Sequence, residues 1–205
     1  MKKNQKTIGK ILILLSLATL LSYKIYNYYY YEKKDVDVIN SYIEETSRII
    51  EEENIALPLE ETKNEFKKVD IKYTAVLEIP SINLKRGVVD STKNFNSINY
   101  AISVDKHSNY PNKVGNFILY AHSGNSNISY FKKLIDVEIN DNVFIYYEGI
   151  KYNYKIFSKY NIEKTGKANV LSSNENKYIT LITCNQKRKG YQVVLVGELV
   201  EQHNY

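Results

Sequence analysis

The chain has 205 residues, 43% of them hydrophobic, which is enough for one globular domain with an accessory segment. Its single cysteine excludes a disulfide within the chain. The net charge of +5 arises entirely before residue 36, since the rest of the chain holds 21 basic and 21 acidic residues. This balance argues against a nucleic-acid partner.

An apolar run close to the N-terminus predicts a membrane anchor. The run Ile11–Tyr23 follows four lysines, and no small-residue cleavage site comes after it. Lys10 and Lys24 can extend their charges toward the two membrane surfaces. We therefore expect residues 1–7 in the cytoplasm, an uncleaved signal anchor at 8–31, and the remainder outside the cell. A cluster of tyrosines suits the membrane interface: Tyr26, Tyr28, Tyr29, Tyr30 and Tyr31.

Residues 32–70 form an acidic segment with a helical pattern. Val36 to Asp70 contains 4 basic and 10 acidic residues. Val36, Ile39 and Ile43 recur at helical spacing, and the pattern ends near Pro58. We expect a solvated helical stalk that lifts the following domain off the membrane; the alternative is a specific partner site.

From residue 71 the pattern becomes that of β-strands. Short runs rich in Val, Ile and Tyr alternate with Asn, Gly, Asp and Lys clusters. The Glu148–Gly149 pair between two alternating segments predicts a hairpin, and Ser129–Ile135 predicts a short helix. The pattern indicates a mainly β fold, a barrel or a sandwich with small helices. The predicted strands lie in AVLEIPSINLKRGVV, GNFILYAH, DNVFIYYEGIKYNYKIFSKYNI, KYITLITC and YQVVLVGELV.

Two residues able to catalyse acyl transfer each follow an apolar strand. Cys184 ends one strand just before a polar loop, and His122 closes another. A thiol needs a neighbouring base or cation to react as thiolate, and histidine is the usual choice. The alternative is that Cys184 is only a small buried hydrophobe. His107 and His203 lie in polar contexts and are expected at the surface.

Metal and nucleotide sites are not predicted. One cysteine and three scattered histidines offer no ligand pair at zinc spacing, and no glycine-rich phosphate loop is present. No acidic cluster of the domain is dense enough to predict a calcium site. We therefore expect neither a metal nor a cofactor.

Around His122 and Cys184 the chain resembles the sortases, the cysteine transpeptidases of Gram-positive cell surfaces. The resemblance covers roughly Ala75 to Val200 and rests on an N-terminal anchor, IPSINLKRGVV, GNFILYAHSG, TLITC and VVLVGEL in that order. TLITC matches the TLxTC box of the family and lies 62 residues after His122. The resemblance implies an eight-stranded β-barrel as the catalytic domain at 71–205.

The resemblance also implies a mechanism and partners. Cys184 would attack an LPXTG-like sorting signal at the C-terminus of a secreted protein and form a thioacyl enzyme. His122 would serve as general acid and then general base, while Thr183 would help to set substrate or oxyanion geometry. The acceptor would be the amine of a peptidoglycan precursor or of a pilin. The short segment 160–177 is too small for the helical insertion of class B, so a class A-like or class D-like enzyme is expected.

One position departs from the family pattern. The family has an arginine on the strand after the cysteine, where this chain has Gln192. Arg188, in the loop after Cys184, carries a rigid, positively charged guanidinium with several N–H donors. We expect it to orient the substrate or stabilise the oxyanion. Gln192 is the alternative, because its register matches and its amide can donate.

Three other functions use the same residues or none of them. A cysteine peptidase would only hydrolyse the peptide, whereas a sortase ligates an added amine. An L,D-transpeptidase also uses Cys and His, but its His-Gly near the cysteine is missing here. In a non-catalytic binding module, Cys184 would resist thiol reagents and His122 would be dispensable.

Overall fold

The computed structural model describes residues 2–53, 72–92, 98, 101–126, 128–166, 168 and 170–205. The chain divides into two compact units, Met1–Val38 and Ile39–Tyr205. One α-helix, α1, extends over Lys2–Glu53. The helical structure expected for the anchor and the first part of the stalk is therefore present, while the rest of the predicted stalk, 54–70, lies outside the described residues.

The N-terminal part of α1 has the properties of a membrane-spanning helix by length and composition. Its large apolar side chains, such as Leu14 and Leu21, are exposed. The hydroxyls of Ser16, Thr19 and Ser22 donate to carbonyls one turn earlier, at 2.8 Å in each case. Polar side chains satisfied in this way can lie in a lipid environment. A signal sequence near an N-terminus has the same length and composition.

The second unit contains a closed barrel of eight strands, which confirms the mainly β prediction and the barrel that the family resemblance implies. Around the barrel the order is β1-β2-β3-β4-β7-β8-β6-β5. The β2–β3 and β4–β7 pairs are parallel and the remaining pairs are antiparallel. The strands are β1 Ala75–Ile79, β2 Leu84–Asp90, β3 Ile102–Val104, β4 Gly115–Tyr120, β5 Asn142–Tyr147, β6 Ile150–Glu163, β7 Lys177–Cys184 and β8 Tyr191–Asn204.

Strand alternation fills the barrel interior with apolar side chains. Phe117 and Leu119 on β4, Leu181 on β7 and Leu195 on β8 belong to one buried cluster. Successive side chains of a strand point to opposite faces, so the residues between these lie on the outer face of the sheet. The site described below is built on that outer face of β4, β7 and β8.

The predicted hairpin between β5 and β6 is confirmed. Glu148 and Gly149 form its turn with φ of 48° and 71°, and Tyr147 pairs with Ile150. Positive φ at both central positions is the signature of a type I′ turn, which matches the twist of the strands.

Three local predictions differ from the structure. The predicted helix at 129–135 is a series of turns ending in a 3-10 helix, Leu134–Asp136. The first strand run is split by a 3-10 helix, Pro80–Ile82, after which Asn83 adopts φ 55° and redirects the chain into β2. The run GNFILYAH leaves the sheet after Tyr120. In addition, β3 is only three residues long and was not predicted.

The last part of α1 packs within the second unit. Ile39 is only 2% exposed, and the Tyr42 hydroxyl donates to the Thr74 carbonyl at 2.7 Å. The Thr46 and Tyr205 hydroxyls are hydrogen-bonded at 2.7 Å. From Ile39 onward this segment is part of the folded domain, although the sequence predicted a solvated stalk there.

Candidate active site

Two neighbouring parallel strands bring His122 and Cys184 to the same edge of the barrel. The β4–β7 register runs from Gly115 opposite Lys177 to Tyr120 opposite Ile182. Beyond this ladder, the Thr183 hydroxyl donates to the Ala121 carbonyl at 2.8 Å, and the Ser123 hydroxyl donates to the Cys184 carbonyl at 2.6 Å. His122 and Cys184 are both partly exposed. The two residues thus lie on neighbouring chain segments at one solvent-accessible edge of the barrel.

Thr183 lies on the opposite face from Cys184. Its side chain is only 3% exposed, and its hydroxyl donates to the Ala121 carbonyl at 2.8 Å. This bond ties β7 to the residue immediately before His122. The side chain of Thr183 therefore acts on the site through the backbone, and its predicted role toward substrate stays a prediction.

Gln192 stands directly across from Cys184 on β8. The antiparallel register of β7 and β8 pairs these two residues, so their side chains project from the same face of the sheet. Directly opposed β-carbons in such a pair are about 4.5–5.5 Å apart. Gln192 is thus the direct cross-strand neighbour of Cys184.

Arg188 is held differently, in the loop between β7 and β8. The Asn185 side-chain oxygen accepts hydrogen bonds from the backbone N–H groups of Lys187 and Arg188, at 2.8 and 3.0 Å. The Arg188 guanidinium lies 3.4 Å from the centroid of the Tyr191 ring. Tyr191 precedes Gln192 and hence points to the other face of β8. The stack directs Arg188 toward that tyrosine.

Side chains that the sequence analysis did not single out connect the two chain segments of the site. The Ser123 hydroxyl donates to the Cys184 carbonyl at 2.6 Å. The Gln186 amide donates to the Ser123 carbonyl and to the Lys132 carbonyl, the latter at 3.1 Å. The only sequence signal for these residues is their position, since each is a polar residue within two positions of His122 or Cys184.

A cavity of about 420 Å³ adjoins this face of the barrel. It lies beside Tyr120, the last residue of β4 and two residues before His122. The other lining residues are polar: Ser91, Thr92, Asp105 and Lys106.

The remaining histidines lie away from the pair. His107 is exposed and contacts the Asp105 carboxylate at 3.0 Å, and His203 is exposed near the end of β8. This confirms their expected surface positions. Among the described residues, no three His, Cys, Asp or Glu side chains are grouped closely enough to hold a metal ion.

Comparison with known proteins agrees with the geometry. The family model for the sortase domain matches residues 77–200, more than half of the chain. Sortase C of Streptococcus pneumoniae is 18% identical with a TM-score of 0.60, covering 84% of this chain and 97% of that one. Sortase A of Listeria monocytogenes is 21% identical with a TM-score of 0.56, covering 65% and 90%.

A sortase D5 transpeptidase of Clostridium perfringens is also similar, at 16% identity and a TM-score of 0.57, covering 82% of this chain and 95% of that one. At such identities the solved structures establish a shared fold. The comparison with curated protein sequences gave no match.

Proposed function

The chain belongs to the sortase family, and on that premise we propose that it is a cysteine transpeptidase that cleaves an LPXTG-like sorting signal and transfers the protein to an amine. The observation that supports this proposal is that Cys184, at the end of β7, and His122, two residues after β4, lie on segments joined by the Ser123–Cys184 and Thr183–Ala121 hydrogen bonds. A binding module would have no need for a thiol and an imidazole at one exposed edge.

In the proposed reaction the Cys184 thiolate attacks the carbonyl carbon of the bond between Thr and Gly of the signal. The tetrahedral intermediate collapses, the C–N bond breaks, and His122 gives a proton to the departing amine. An acceptor amine then attacks the thioester, and His122 takes its excess proton. A new amide forms and the thiolate is regenerated, so no external oxidant, reductant or metal is consumed.

The developing oxyanion needs a donor, and two side chains compete for that role. Gln192 is the nearest strand neighbour of Cys184, whereas the Arg188 guanidinium is stacked on Tyr191. A donor already beside the reacting atom costs no reorganisation when the reaction occurs. We therefore favour Gln192 over Arg188 as the donor, while Thr183 holds the backbone of Ala121 beside His122.

Further features support the location and the subclass. The exposed apolar side chains of α1 fit a single membrane span, which would hold the catalytic domain at the outer cell surface. The β6–β7 connection covers residues 164–176 and contains no helix among its described residues. A short connection fits a class A-like or class D-like enzyme. Secreted proteins with a C-terminal signal would be the donors, and peptidoglycan precursors or pilins the acceptors.

The test is a cleavage assay on the full-length protein in detergent with a small library of sorting peptides. We expect Cys184→Ala to abolish cleavage and His122→Ala to reduce it by ~10²- to 10⁴-fold, the usual contribution of a general acid–base group. Product analysis with added oligoglycine or diamino-acid amines separates ligation from hydrolysis. Wild-type turnover in the Cys184→Ala protein would refute the proposal, and hydrolysis without ligation would indicate a peptidase.

A further inference from the structure

Two reciprocal side-chain bridges join the segment after His122 to the segment after Cys184. Ser123, the residue after the histidine, donates its hydroxyl to the Cys184 carbonyl at 2.6 Å. Gln186, two residues after the cysteine, donates its amide back to the Ser123 carbonyl. We propose that Ser123 and Gln186 are positioning residues that hold the Cys184 thiol and the His122 imidazole at the distance and orientation that proton transfer requires. This inference rests on the proposed function.

The need for these bridges follows from where the strands end. β4 ends at Tyr120, so His122 lies beyond the last ladder pair, which joins Tyr120 to Ile182. Backbone pairing with β7 therefore does not fix the histidine. Cys184 remains in β7, and its carbonyl is the acceptor through which Ser123 is anchored.

The segment that follows His122 is fixed to the same point. The Phe131 N–H donates to the His122 carbonyl at 2.9 Å, and Gln186 donates to the Lys132 carbonyl at 3.1 Å. The segment 123–130 thus begins and ends beside His122. The Gln186 amide donates to the carbonyl next to each end, that of Ser123 and that of Lys132. Ser123 is only 4% exposed, so its hydrogen bond is shielded from water and the loss of its donor leaves a carbonyl unpaired.

The expected effect is on the chemical step. A displacement of about 1 Å between reacting groups can cost 10²-fold in rate. Neither side chain is proposed to touch the substrate, so KM should change little while kcat falls. The pH profile for alkylation of Cys184 should also be displaced, because the distance from the imidazole sets how readily the thiolate forms.

The experiment compares Ser123→Ala and Gln186→Glu with a matched control, Ser108→Ala, in the full-length protein. Ser108 likewise contacts β4, accepting from the Ile118 N–H at 2.9 Å and donating to the Ile118 carbonyl at 3.0 Å, but in mid-strand. Gln186→Glu keeps the size of an exposed side chain and removes the donor. Gln186→Met removes the donor without adding a charge, so it separates loss of the bridge from the effect of a new carboxylate on the pH profile.

We expect Ser123→Ala and Gln186→Glu each to lower kcat by at least ~10-fold with KM within ~2-fold. Both should displace the pH profile of iodoacetamide alkylation. Ser108→Ala should change neither property, even where its melting temperature falls as much as that of Ser123→Ala.

Two results would overturn the inference: wild-type kcat and an unchanged alkylation profile in both bridge variants, or equal losses in Ser108→Ala. The alkylation profile needs no peptide, so it tests the bridges whichever signal the enzyme takes. A Cys184→Ala protein that still cleaves peptide would instead refute the proposed function, so the two failures remain distinguishable.

Discussion

The choice of oxyanion donor between Gln192 and Arg188 can be decided by a pair of substitutions. Gln192 is paired with Cys184 across β7 and β8, and its side chain projects from the same face of the sheet. Removal of one preorganised oxyanion donor costs ~10²- to 10³-fold in kcat, about 2.7–4 kcal/mol. We therefore expect Gln192→Ala to lose at least ~10² in kcat/KM, and Gln192→Glu, which keeps the length but not the donor, to lose as much.

Arg188 has to leave its present position before it can serve. Its guanidinium lies 3.4 Å from the centroid of the Tyr191 ring, and an exposed cation–π contact is worth about 0.5–1 kcal/mol. Breaking that contact in every turnover would lower the rate by a factor of roughly 2–5. We expect Arg188→Ala to reduce kcat/KM by less than ~10-fold, mainly through loss of loop order.

The assay is steady-state cleavage of a quenched fluorogenic sorting peptide, with kcat and KM determined separately. Lys189→Ala is the matched control, because it removes a cation from the same loop without touching the Tyr191 stack. Thermal unfolding of each variant separates loss of chemistry from loss of fold. A loss of 10² or more in Arg188→Ala, with less than 10-fold in Gln192→Ala, would return the role to the arginine that the sequence favoured.

Three further outcomes follow from the fold. The full-length protein should sediment with membranes and keep its N-terminus, and a mature chain that begins after Tyr23 would contradict the anchor. Ile39 is 2% exposed, so Ile39→Ala should lower the free energy of unfolding by about 2–5 kcal/mol and the melting temperature by roughly 4–20 °C. The control is Ile139→Ala, at a residue 54% exposed, which should change the melting temperature little. Equal shifts would mean that the Ile39 segment is not part of the domain. Burial raises the pKa of Tyr154 above its ordinary 10.0, so the unfolded chain releases this proton first as the pH rises. The contribution of Tyr154 to the free energy of unfolding should therefore be fully present below pH 10 and be lost above it, by about 1.4 kcal/mol per pH unit. In Tyr154→Phe that slope in urea titrations should be smaller, and an unchanged slope would exclude this tyrosine as its source.

The strands and the positions of Cys184 and His122 could be predicted because their signals are local. The alternation of polar and apolar residues in KYNYKIF and the turn residues Glu148 and Gly149 are determined by neighbouring residues. Cys184 and His122 each follow an apolar strand, so their positions at strand ends could be read directly. The three-residue β3 lacked such a signal, because three apolar or small residues are too few to show a period.

The contacts that organise the site could not be predicted, because they depend on register between distant segments. Ser123 and Gln186 meet only because β4 and β7 pair in parallel, and sequence distance gives no hint of this. Similarly, the sequence favoured Arg188 for its rigid cationic guanidinium and for its place in the loop after Cys184. Its stack on Tyr191 arises from a turn in which Asn185 accepts hydrogen bonds from two backbone N–H groups.

The order of residues at the end of β7 follows from the alternation of the strand. Thr183 points into the barrel, where its hydroxyl meets the Ala121 carbonyl at 2.8 Å, so Cys184 must point outward, toward the face that carries Gln192. A polar side chain at 183 is tolerated inside because it is hydrogen-bonded, and that bond holds the residue before His122. A shift of β7 by one residue against its neighbours would exchange these roles, burying the thiol and exposing the threonine. The Thr183–Ala121 hydrogen bond therefore makes the outward position of Cys184 and the position of Ala121, the residue before His122, depend on a single register.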